Sequence, residues 1–117
     1  MAGSFRDRRV WHDAMRLTTE VCRSTIRFAK HEIYGRTQQM RRAAVSVPSN
    51  IAEGKGHYSN KEFVHFVLHA RGSLRKLETQ VMIADELQYL SQQDTGNLLE
   101  VGRAQIGLIN AMSRTAA

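Results

Sequence analysis

The chain has a single cysteine, a single proline and a single tryptophan in 117 residues. One cysteine excludes an intrachain disulfide, and a reducing cytoplasm is the expected setting. No stretch approaches the ~20 apolar residues that a membrane span needs, so no membrane association is expected. The N-terminus MAGSFRDRRVWHD carries charges where a secretory signal would place its apolar segment. Sustained alternation of apolar and polar residues is missing too, which excludes a sheet. With no low-complexity tract, residues 1–117 are expected to form a single domain. Residues 1–9, with Arg6, Arg8 and Arg9 around Asp7, are expected as a short basic arm.

Acidic residues are scarce in one part of the chain. Residues 1–76 hold 15 of the 17 Lys and Arg against six acids, a net of +9, whereas residues 77–117 hold two against five, a net of −3. Such asymmetry suits a basic surface facing a polyanion, or a basic face meeting an acidic one on another subunit.

What is present is helical periodicity. The stretch from Tyr34 to Gly56, YGRTQQMRRAAVSVPSNIAEGKG, organises the rest. Met40, Ala44, Val47 and Ile51 line one side of a helix, and Arg42, Ser46, Ser49, Asn50 and Glu53 line the other. Pro48 deletes the hydrogen bond to the Ala44 carbonyl, a cost of ~3 kcal/mol in a free helix, so close packing must offset it. The stretch is therefore expected to be a proline-kinked second helix, with Gly54 ending it at the usual position. Ahead of it, Val10 to about Lys30 repeats Trp11, Met15, Thr18, Cys22, Ile26 and Ala29 as an apolar stripe, widened by Ala14, Leu17, Val21 and Phe28. Ser59 with Glu62 reads as a capping box opening the longest helix. In it Phe63, Val67, Ala70, Leu74, Leu77, Val81 and Ala84 form an unbroken coiled-coil-like seam. Ser91 with Asp94 caps a last helix running to about Ser113, weakened by Gly96, Gly102 and Gly107. The expected fold is all-α: an antiparallel up-down-up-down four-helix bundle. Leu68, Gly72 and Ile83 lie away from the seam, a spare helix-packing strip that predicts self-association.

Catalytic chemistry finds little support. Glu62, His65 and His69 form E-x-x-H-x-x-x-H, but there is no second E-x-x-H, and the heptad register turns both histidines outward. No serine sits in G-x-S-x-G, and Cys22 lies in an apolar stripe. Only Thr18 and Gln105 bring polar atoms to those stripes. No catalytic, metal or cofactor site is expected. A basic surface is the stronger signal: Arg36, Arg41, Arg42, Lys55, His57 and Lys61 cluster about both ends of the second helix, and Arg71, Arg75 and Lys76 extend along the third. Cations on helical rods track phosphates without reading bases. Tyr34 and Tyr58 flank the cluster, where they can stack on unpaired bases or simply pack helix ends.

RRAAVSVPSNIAEG from Arg41 to Gly54, YG at Tyr34–Gly35, FxxxxVWxxA from Phe5 to Ala14 and KEFxxF…ARGSLxxLETQ from Lys61 to Gln80 together resemble the four-helix bundle protein family. That family is also called the 23S ribosomal RNA intervening-sequence proteins. The resemblance implies an antiparallel four-helix bundle, a homopentameric ring, no catalytic activity and no cofactor. It also implies an RNA or DNA context, either a ribosomal RNA operon or, in distant relatives, the reverse transcriptase of a diversity-generating retroelement. The chain departs from the family pattern at Arg8, Ala29, Arg36 and Lys76, and three of those departures add positive charge. The PSNIAEG stretch matches fully, and its small polar face is expected to admit a neighbour, with Ser and Asn satisfying backbone groups opened by Pro48. The expected function is a non-enzymatic homo-oligomer binding RNA or DNA through its basic surface. The competing expectation is an oligomeric scaffold or accessory subunit that acts through protein contacts.

Overall fold

A computed structural model describes residues 5–56 and 59–116, with side chains from residue 8 onward. His57 and Tyr58 lie outside the described residues. Four helices make up the molecule: α1 Phe5–Thr25, α2 Gln38–Lys55, α3 Asn60–Glu86 and α4 Gln92–Ala116. Consecutive helices pack side by side and α4 closes on α1, with α2 against α3 the most extensive pairing. This is an all-α, up-down-up-down four-helix bundle, 43 × 24 × 18 Å. At ~1.5 Å per residue, the 27 residues of α3 account for its length.

Helix ends fall where local chemistry satisfies free backbone groups. The Ser59 hydroxyl accepts from the Glu62 amide at 3.1 Å, and the Ser91 hydroxyl accepts from the Asp94 amide at 3.0 Å. α3 closes with paired 2.9 Å bonds, from the Tyr89 amide to the Ala84 carbonyl and from the Gln88 amide to the Asp85 carbonyl. That Schellman geometry places Gln88 at a left-handed φ of 61°.

The α3 seam is buried along its whole length, from Phe63 to Ala84, as the heptad spacing predicts. Met40, Ala44, Val47 and Ile51 of α2 are fully buried opposite it. Each large apolar side chain so enclosed contributes ~1.5–3 kcal/mol.

α1 differs from expectation. It begins at Phe5, so residues 5–9 are helical rather than an arm, and it ends at Thr25 instead of Lys30. Its buried row is Val10, Ala14, Leu17, Val21 and Thr25, with Phe28 folding back beyond the helix end. Met15 and Ile26 are exposed, while Trp11 and Cys22 are half-buried. Two adjacent apolar rows run along α1, and the positions of α2 and α4 select which one turns inward.

The α1–α2 connection is a 3-10 turn, Lys30–Glu32, followed by a π turn, Ile33–Thr37, whose helical backbone is broken at Gly35. α2 then runs through Pro48 to Lys55. The Ala44 carbonyl that Pro48 leaves free lies 3.0 Å from the Thr18 hydroxyl of α1. Its partner is thus on another helix, whereas Ser49 and Asn50 bond to the Val45 and Ser46 carbonyls of their own helix. Gly54 is not the cap. It is buried inside α2, and a Cβ there would stand 3.1 Å from the Phe66 Cβ, so glycine lets α2 and α3 approach. The helix ends at Gly56, whose amide bonds the Glu53 carbonyl.

Candidate nucleic-acid interface

Two cross-helix hydrogen bonds set the register of α2 against α3: Ser46 Oγ with Ser73 Oγ at 2.8 Å, and Gln80 Nε2 donating to Gln39 Oε1 at 2.9 Å. For antiparallel helices so aligned, Arg42 lies one turn before Ser46, level with Lys76 one turn beyond Ser73. Both side chains are exposed. No acidic partner meets either of them among the described residues. They form a pair of like charges on one face, one turn from the Ser46–Ser73 pair.

The other expected cations divide by location. Arg41 is half-buried and braces α1: its Nε donates to the Thr25 hydroxyl at 2.9 Å and its Nη2 to the Cys22 carbonyl at 3.3 Å. Arg71 braces α4, its Nη1 donating to Asn110 Oδ1 at 2.8 Å. Arg36 pairs with Glu32, Nε to Oε2 at 3.8 Å, and the same carboxylate accepts from the Arg36 amide. Lys55 and Lys61 stand at the far end of α2, about 28 Å from Arg36 along the helix axis. Arg75 is exposed on the side of α3 turned toward α4. Tyr34 is 87% exposed and lies with Arg42 in a shallow groove of about 520 Å³.

Leu68 and Gly72 border a neighbouring hollow with His65, His69, Ser73 and Lys76, so the expected self-association strip and the cationic face meet at one place. Ile83 sits farther along α3 and is 38% exposed. It is one of several exposed apolar side chains at the same end of the bundle. Of the eight large apolar side chains exposed among the described residues, Ile26, Ile33, Tyr34, Met82, Ile83 and Leu87 all cluster at the end of the bundle where α1 hands over to α2 and α3 to α4. They come from three separate segments, and only the fold gathers them.

The His65 and His69 rings are 4.5 Å apart, edge to face, on the exposed side of α3. Among the described residues, no three His, Cys, Asp or Glu side chains gather closely enough to hold a metal ion. No helix among them is long and apolar enough to cross a membrane.

Comparison with known proteins adds the family. The sequence profile of the 23S rRNA-intervening sequence proteins matches residues 6–111. The chain belongs to that family. No curated protein matches the chain. One similar solved structure is a protein of unknown function from the S23 ribosomal protein family of Bacteroides thetaiotaomicron. It is 13% identical, with a TM-score of 0.86 over 94% of this chain and 99% of that one. At that identity the likeness carries the fold alone. The 23S rRNA-intervening sequence family thus supplies an architecture, and function must be argued from the surface.

Proposed function

We propose that this member of the 23S rRNA-intervening sequence family is a non-enzymatic, self-associating bundle that holds RNA or DNA by phosphate contacts. The observation that carries this is the level pairing of Arg42 and Lys76, exposed and without an acidic partner among the described residues. Arg75, Lys61 and Lys55 extend the field along α3 and around its start. The guanidinium groups of Arg41 and Arg71 hold helices together, and that of Arg36 pairs with Glu32 within its own turn. Cations spread along rods give binding that is strong at low salt and poor in sequence preference. The family takes its name from the 23S rRNA intervening sequence, which makes structured RNA a natural first ligand. Repetition of the face in a ring, pentameric as the sequence resemblance implies, multiplies a weak single-face contact.

A second reading, an oligomeric scaffold or accessory subunit with a protein partner, draws on the apolar end formed by Ile26, Ile33, Tyr34, Met82, Ile83 and Leu87. Filter binding to structured RNA and single-stranded DNA at rising salt decides between the two. Nucleic-acid binding predicts a linear fall of log affinity with log salt, shallower by roughly two after Arg42→Ala plus Lys76→Ala. Absence of binding at low salt favours the scaffold.

A further inference from the structure

We infer that the groove at the start of α2 takes an unpaired base of a single-stranded segment, stacked on Tyr34 with the adjoining phosphate on Arg42; this rests on the nucleic-acid reading above. Tyr34 is 87% exposed and has no ring or hydrogen-bond partner among the described residues. A buried role at a helix end, the commoner fate of such a tyrosine, is therefore not its role within this chain. The groove has apolar walls in Ile33 and Val45, an amide in Gln38, a hydroxyl in Ser46 and a cation in Arg42, and no carboxylate lines it. Its volume, about 520 Å³, is within the range of small-ligand sites. An aromatic face, an amide for a base edge and a cation for a phosphate fit a nucleotide, whereas an apolar peptide would make no use of Arg42.

The frame of the groove is held in place. Glu32 accepts from the Arg36 amide and so secures the turn that carries Tyr34. Arg41 is bonded to Thr25 and Cys22, which fixes α2 against the end of α1. Tyr34 and Arg42 are thus presented from a set backbone while their own side chains stay free. In a duplex each base is already stacked, so its face is closed to Tyr34. Single strands are expected to bind more tightly than a duplex of equal charge.

The test is fluorescence anisotropy with labelled oligo-dT, oligo-U and a duplex of matched length, at low salt. Tyr34→Ala is expected to weaken single-strand binding roughly five- to a hundredfold and to leave duplex binding unchanged. Tyr34→Trp is expected to restore it, with quenching of tryptophan fluorescence as the strand binds. Wild-type protein that binds single strand and duplex equally, or Tyr34→Ala protein that binds single strands like wild type, overturns the stacking site but leaves phosphate binding standing. If the wild-type chain binds none of the three, the broader reading fails. A change in the molar mass of the assembly on Tyr34→Ala reassigns the tyrosine to a contact between copies and also overturns the proposal.

Discussion

Thr18 has one hydroxyl proton and two carbonyls within reach, Ala14 at 2.9 Å and Ala44 at 3.0 Å. The Ala14 carbonyl sits in its own helix, whereas the Ala44 carbonyl lost its helical donor to Pro48 and has the greater need. Thr18→Val should therefore cost about 1–3 kcal/mol, read as a lower denaturation midpoint in urea. In a Pro48→Ala background the Ala44 carbonyl regains an amide donor, and the Thr18→Val penalty should shrink; an additive double-mutant cycle would refute the pairing. Gln88 gives the opposite prediction. Its φ of 61° is strained for a residue with a Cβ, so Gln88→Gly should raise stability by ~0.5–1 kcal/mol, seen as a higher thermal midpoint.

Among the elements, glycines in helices separate by what surrounds them. Gly54 is enclosed by Phe63 and Phe66, and a methyl group there meets atoms at 3.1–3.4 Å. Gly54→Ala should force α2 and α3 apart and destabilise by about 1–3 kcal/mol despite the better helix propensity. Gly102 in α4 has nothing within 4 Å of an added Cβ. Gly102→Ala should instead stabilise by up to ~1 kcal/mol. Equilibrium denaturation of the two variants checks the contrast in sign. α4 is also tied by Gln105, fully buried, whose Nε2 donates to the Val10 carbonyl of α1 at 2.9 Å. Asn97 adds a 2.7 Å bond to Glu20, so the closing contact of the bundle is polar at two levels.

For the whole molecule, the proposed self-association places the strip from Leu68 to Ile83 of α3 against other copies. Leu68→Glu plus Ile83→Glu should reduce the molar mass measured by light scattering toward that of one chain, while helical circular dichroism stays unchanged. An unaltered mass, or a single-chain mass for the wild type, would remove assembly from the proposal. The charge distribution belongs to this scale as well: the basic first 76 residues supply α1 to most of α3, and the acidic remainder supplies α4 and the end of α3. Glu78 accordingly meets Arg103 at 2.9 Å across α3 and α4, which uses local charge to close the bundle and leaves the α2–α3 face cationic.

Four helices, their caps at Ser59 and Ser91 and the full α3 seam were legible in the residues, because those features depend on neighbours within a turn or two. Spacing also shows that Pro48 frees a carbonyl. It does not show that Thr18 answers it, since that hydroxyl comes from a helix distant in sequence and finds its place only through packing. The same holds for the row of α1 that turns inward, for the close approach that makes Gly54 necessary and for the division of arginines into braces and free cations. Periodicity assigns a residue to a face of its own helix; which neighbour lies across that face is set by how four helices share one core.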